Sequence, residues 1–276
     1  VISGSPAFPG RKKVLMRAGS SDNGANLLDG ITITETVYDR EFVDWHYHEN
    51  PHFTLVTSGK IKQGTRRETF ECCADTLLFH NWQEPHYNIK PAGVTRAFQV
   101  EIDAAWYRKF EVDPHLLPAA AKITRPNIRL LFYNIYKEAK IFDATSTFTI
   151  DSLLLETFET IRGFETRCVG TPLWVTRLDE LLHDDSDRPF SLRDLSNELG
   201  LHWAHLSREF PRYFRCNFSQ YVRKLKVERS LALLRDGRRS VAEITFICGF
   251  ADQSHFIRCF REFTGITPRN FRQISK

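Results

Sequence analysis

The sequence predicts a two-domain α+β protein: a small antiparallel β barrel carrying a helical pair, followed by an all-α domain built on a repeated helix-glycine-helix pattern. Three observations predict it. The 276 residues exceed one ordinary compact domain and suit two. Hydrophobic periodicity changes along the chain from the strand type to the helix type. Charge is also divided unevenly. Residues 188–276 hold 17 Lys and Arg against 8 Asp and Glu, so a chain of net charge +4 has a tail at +9 and a remainder at −5.

Taken in order, residues 1–30 are rich in Gly, Ser, Pro, Asn and Asp and read as a flexible arm. From 31 to 102, ITITETVY, HFTLVTSGKIKQ, ETFEC, TLLFH and RAFQVEI are short β-prone runs separated by turn signals, as in a sandwich or barrel. Then Ile128, Leu131, Ile135 and Tyr136, and later Leu153, Leu154, Phe158 and Ile161, recur at three and four residues, predicting helices over 127–141 and 148–165. Two roles stay open for this pair, an intramolecular cover or a self-association face. RCVGTP at 167–172 interrupts the helical period and places the junction at 166–172. The domains are thus 1–30, 31–170 and 171–276.

Composition excludes several classes. No run of ~18 apolar residues offers a membrane span. Arg11, Lys12 and Lys13 have no apolar run after them, so the start does not read as a secretory signal and a cytoplasmic location is expected. Cysteines 72, 73, 168, 216, 248 and 259 lack C-x-x-C spacing and are expected to be buried free thiols. There is no glycine-rich phosphate loop, nucleophile elbow or zinc-protease motif, and no catalytic residue is assigned.

The tail repeats itself at a spacing near fifty residues. SLRDLSNELGL (191–201) matches SVAEITFICGF (240–250), with a cap residue first, apolar second and fifth residues, a carboxylate fourth and glycine tenth. HLSREFPRYF and HFIRCFREFT continue the two copies. Ser191 and Ser240 suit N-caps, because the side-chain oxygen accepts from an otherwise unbonded N–H. Gly200 and Gly249 suit a left-handed turn. Helix, glycine turn, helix is the helix-turn-helix pattern. The stretch 218–235 is long enough to hold two such copies about 26 Å apart.

GFADQSHFIRCFREFTGITPRNFR (249–272) resembles the signature of AraC-type transcriptional regulators, with Gly249, Phe250, Ser254, Phe256, Phe260, Gly265, Thr267, Pro268 and Arg272 in the expected places. LSREF and YVRKLKVERSLALL extend the resemblance over Ser191–Arg272. It implies two recognition helices, about 203–214 and 252–263. Trp203, Ala204, Ser207 and Arg208 would meet DNA on the first; Gln253, Ser254, His255, Ile257 and Arg258 on the second. Arg208 and Arg258 suit guanine or a phosphate, while Ala204 and Ile257 offer only apolar contact. Leu206, Phe210, Phe256 and Phe260 are expected in the core. The sequence departs from the family at His202 (usually a serine cap), at Arg215 (usually glycine) and at Ser196 and Thr245 (usually alanine).

WHYHENPHFTLVTSG and EPH resemble the cupin motif, with His46 and His48 as its paired histidines, His52 where glutamate is usual and His86 at the later histidine. On one strand, residues two and four apart would share a face, although Pro51 interrupts the pattern. The cupin-like domain implied is a sensor, with His46, His48, His52, Trp82 and His86 as an effector pocket. No metal or other cofactor is expected to be required, and His46, His48, His52 and His86 are the ligands if one binds. The reading is a homodimeric, sequence-specific regulator that binds double-stranded DNA and a small-molecule effector, with RNA polymerase as a further partner. The alternative is a metal-dependent cupin enzyme fused to a DNA-binding domain.

Overall fold

In the computed structural model, residues 26–91, 93–113, 120–165, 172–183 and 191–275 are described. The arm up to residue 25, the junction at 166–171 and Cys168 lie outside them. Ten strands form first: β1 (Asn26–Leu28), β2 (Ile31–Tyr38), β3 (Phe42–His46), β4 (His52–Ser58), β5 (Lys60–Thr65), β6 (Thr69–Cys73), β7 (Leu77–His80), β8 (His86–Ile89), β9 (Thr95–Ile102) and β10 (Ala120–Ile123). They make two antiparallel sheets, one in the order β1-β2-β9-β4-β7-β10 and one in the order β3-β8-β5-β6. The region is β-rich, as the turn-punctuated runs predict. Val56, Ile61, Phe70, Cys72 and Leu78 pack into one apolar cluster that draws on both sheets.

Two close approaches shape this region. Gly64 lies on β5 opposite Tyr87, and a Cβ there would come within 2.2 Å of the Tyr87 ring, so only glycine leaves room. Helix α1 (Ala104–Lys109) is capped by Asp103, whose Oδ1 accepts from the Ala105 and Trp106 amides. The buried Trp106 indole then donates to Asp151 Oδ1 at 2.8 Å, which satisfies a polar edge deep in the core.

The remaining helices are α2 (Pro126–Ile141), α3 (Ser146–Glu165), α4 (Leu173–His183), α5 (Leu192–Glu198), α6 (Trp203–Phe214), α7 (Phe218–Asp236), α8 (Val241–Ile247), α9 (Gln253–Thr264) and α10 (Pro268–Ile274). None of the helices among the described residues is long and apolar enough to cross a membrane. Contacts divide the chain into two compact units. One runs to Ile123 and adds Phe142–Leu155; the other comprises Thr124–Ile141 and Glu156–Lys276. The helices predicted at 127–141 and 148–165 are present, but α2 and the second half of α3 group with the C-terminal helices rather than with the strands.

What holds α2 there is polar as well as apolar. Arg129 on α2 meets Glu228 on α7 at 2.7 Å, with both side chains largely buried. Asn134 Nδ2 and Lys137 Nζ donate to the carbonyls of Phe263 and Thr264 at the end of α9. These two bonds satisfy acceptors that a helix C-terminus leaves open. Tyr133 accepts from Arg235 and packs edge-on against Phe271.

Cys72, Cys216, Cys248 and Cys259 are buried free thiols, but Cys73 is exposed. The reason is register. Cys72 and Cys73 are adjacent on β6 and must face opposite sides of the sheet.

Candidate nucleic-acid interface and histidine cluster

In the helical unit the two sequence repeats fold alike, bond for bond. Ser191 accepts from the Asp194 amide and Ser240 from the Glu243 amide, and at Ser240 the Glu243 carboxylate also bonds back to the cap N–H. After α5, Leu199 N donates to Leu195 O, Gly200 N to Asn197 O and Leu201 N to Ser196 O. After α8, Cys248 N donates to Ile244 O, Gly249 N to Phe246 O and Phe250 N to Thr245 O, each 49 positions later. Gly200 and Gly249 take the left-handed conformation at φ 65° and 70°. Ser240→Ala removes the side-chain half of the capping box, leaves the backbone N–H to Glu243 in place, and is expected to cost about 0.5–2 kcal/mol of stability, read by urea unfolding.

The departures from the family pattern are accommodated locally. His202 caps α6 through Nδ1, which accepts from Ala204 N at 3.3 Å, a weaker bond than the 2.7 Å one from His255 N to Asp252 that caps α9. Arg215 ends α6 at φ 58°, left-handed as the missing glycine requires. Ser196 and Thr245 are buried, and each hydroxyl bonds back to its own helix, to Arg193 O and Val241 O.

Helices α6 and α9 present one apolar and one polar face. Leu206, Phe210, Phe256 and Phe260 are fully buried, as read from the sequence. Of the residues named for DNA contact, Trp203, Ala204, Ser207, Arg208, Gln253, Ser254 and Arg258 are exposed, and His255 and Ile257 are half-buried. Trp203 is a large apolar side chain left 52% exposed at the start of α6. Ser254, Ile257, Arg258, Arg261 and Glu262 line one open depression along α9. Arg261 was not singled out from the sequence, although it stands one helical turn beyond Arg258. Lys226 of α7 donates to the Gly249 carbonyl and lies over the Phe250 ring, fastening the second turn to the central helix.

Residues 195–274 match a family model described as a helix-turn-helix domain. This segment is an AraC-type helix-turn-helix domain. Curated relatives align with it. The HTH-type transcriptional regulator GbdR of Pseudomonas aeruginosa is 34% identical over 93 residues, 34% of this chain and 25% of that protein. The HTH-type transcriptional activator RhaR of Cronobacter sakazakii is 32% identical over 136 residues, 48% of each chain. The chain therefore spans between a quarter and a half of these relatives' length. Among solved structures, an apo form of ToxT from Vibrio cholerae aligns over 90% of this chain and 99% of its own at 12% identity, with a TM-score of 0.40.

The β-rich unit holds a second constellation. His46 and His86 are cross-strand neighbours on β3 and β8, and His52 and His80 are cross-strand neighbours on β4 and β7 of the other sheet. The rings meet: His46–His86 at 4.3 Å, His48–His52 at 4.3 Å, His52–His80 at 4.9 Å and His80–His86 at 4.7 Å between centroids. The histidines thus converge, but not for the reason read from the sequence. His46 and His52 lie on different sheets, with His48 in the connection, so no single strand face carries them. His80, in TLLFH, was missed; its position in an apolar run reads as core. The Trp82 ring packs against Tyr107 at 5.8 Å instead of joining the rings above.

Burial pushes all five imidazoles below the ordinary histidine value, and proximity to one another adds to it for His48, His52, His80 and His86. For His46, its bond to the Asp44 carbonyl works in the opposite direction. His80 is brought down to about 3. At neutral pH the cluster is a set of neutral imidazoles, each with a nitrogen lone pair.

Proposed function

We propose that the chain is a sequence-specific transcription regulator that reads DNA through α6 and α9 and answers to an effector held in the β-rich unit. The observation that carries it is the bond-for-bond repetition of the two capped turns, each delivering a helix with a buried apolar face and an exposed polar one. Alternate copies of one fold unit on a single connecting helix of 19 residues, about 28 Å long, suit successive turns of the major groove. Arg208 and Arg258 are the base-reading side chains, and Trp203, Ala204, Ser207, Gln253, Ser254, His255 and Ile257 complete the two faces. The chain acts as a homodimer in the cytoplasm, with RNA polymerase as a partner at the promoter. An effector bound more tightly in one arrangement of the protein shifts the population that engages DNA.

Selection of bound sequences from a random duplex library tests this. The wild type is expected to enrich a site with two blocks about one helical turn apart. Arg208→Ala and Arg258→Ala should each weaken binding by about 1–3 kcal/mol and relax preference at different blocks. Enrichment of a single block, blurred by one variant and untouched by the other, would refute the double reader.

A further inference from the structure

The helical unit holds a second cleft, separate from the depression along α9, where the start of α2, the second half of α3, the end of α6 and the first turn of α7 meet. Arg125, Asn127, Thr160, Arg215 and Tyr221 are among the residues that line it. Among the described residues, the side chains of Asn127, Thr160, Arg215 and Tyr221 make no hydrogen bond or ion pair, and Asn127 Oδ1 is buried without a partner. Tyr221 is only 2% exposed, and its ring packs edge-on against Phe210 and Phe214. That packing leaves the cleft side for its hydroxyl, which carries a proton to donate.

Two features select an anion as the occupant. Arg215 stands at φ 58°, in the left-handed region where glycine is free of strain and arginine is not. A side chain that strains the backbone and bonds to nothing in the protein is explained by a partner outside it. The other feature is the start of α2, a helix of 16 residues that begins at Pro126. Its first bonded amide is that of Arg129, to the Arg125 carbonyl, so among the described residues the amides of Asn127 and Ile128 stay open at the positive end of the helix. Arg125 and Asp179 both lie close enough to Tyr221 to act on its hydroxyl, in opposite senses. Two guanidiniums and one carboxylate leave the surroundings of the cleft one positive charge in excess.

We propose that this cleft binds one small tetrahedral oxyanion, the phosphate group of a free solute, with Arg125 and Arg215 as its charge partners and the hydroxyls of Thr160 and Tyr221 as further donors. The donors belong to four different elements and so surround the occupant, which suits a tetrahedral group. A carboxylate presents one flat edge and is served by a single forked arginine. Bound there, the phosphate ties the end of α6 to the start of α2 and to α3, and replaces water around two guanidiniums with charge-assisted hydrogen bonds. The site stands on the geometry of the helical unit and does not rest on the DNA-binding reading.

The test titrates the full-length chain with inorganic phosphate, glycerol 3-phosphate and acetate at fixed pH and ionic strength, followed by isothermal titration calorimetry. Phosphate is expected to saturate at one per chain, with acetate weaker by about ten-fold or more. Whichever of phosphate and its glycerol ester binds more tightly identifies the source, a free ion or an organic monoester. Arg215→Gly relieves the left-handed strain and Tyr221→Phe keeps the ring packing, so both are expected to fold; each should weaken phosphate binding by about ten-fold or more. Phosphate should also raise the urea midpoint of the wild type beyond the rise it gives Arg215→Gly, which removes the general effect of the salt from the comparison. Absence of saturable binding by either phosphate compound would overturn the site, as would undiminished affinity in the two folded variants or acetate bound as tightly as phosphate.

Discussion

Arg129→Ala is expected to lower the free energy of unfolding by about 3–5 kcal/mol, more than any surface ion pair in the chain. The guanidinium sits 2.7 Å from Glu228, whose side chain is only 9% exposed. Removing the cation takes away the positive charge 2.7 Å from a largely buried carboxylate, and the lost compensation for that burial is the larger part of the loss. The exposed pair Arg177–Glu180, at 3.1 Å and more than 60% exposed on each side, supplies the contrast: Arg177→Ala should cost about 0–1 kcal/mol. The double replacement Arg129→Met with Glu228→Leu separates attraction from desolvation. It should recover most of the loss, or exceed the wild type, because an apolar pair of similar volume carries no desolvation cost. Urea unfolding followed by helical circular dichroism measures all three. An Arg129→Ala loss no larger than that of Arg177→Ala would mean that water reaches Glu228.

The consequence extends beyond stability, because the same ion pair fixes where α2 belongs. Together with the Asn134 and Lys137 bonds to the last carbonyls of α9, it makes α2 part of the body that positions α9. If α9 reads DNA as proposed, a residue on α2 is expected to alter that reading without touching DNA. Arg129→Ala and the apolar double variant are expected to differ in DNA affinity less than in stability if α2 only supports the helical unit.

Which features were legible follows from the range of the interactions that make them. The caps, the glycine turns and the buried phenylalanines of the C-terminal repeat depend on contacts within about four residues, so SLRDLSNELGL and SVAEITFICGF disclose them directly. Helices α2 and α3 were also legible from their spacing. Their grouping was not, because Arg129 and Glu228 are 99 positions apart and nothing local marks them as partners. Strands β3 and β8 escaped for a similar reason. FVDWH alternates poorly, being exposed at Phe42 and Asp44 and buried at Trp45 and His46 together, and HYNI is too short to show a period. With those two strands hidden, the histidine cluster could be assembled only along one strand. Pairing across two sheets, which brings His80 beside His86, is a long-range property.

Acid should unfold the β-rich unit early. Each of the five imidazoles has a folded-state pKa below its unfolded value near 6.5, so the unfolded chain binds more protons between the two values. Stability is then fully present above pH about 6.5 and falls as the pH drops toward the folded values, the window for His80 alone running down to about 3. His80→Leu removes one titrating group and an unsatisfied polar ring. It is expected to raise stability at pH 5 more than at pH 8, and to reduce the slope of stability against pH between them by up to one proton's worth. Denaturant titrations at a series of pH values measure both slopes. Equal slopes in wild type and His80→Leu would mean that His80 is not held neutral, and that water rather than protein surrounds its ring.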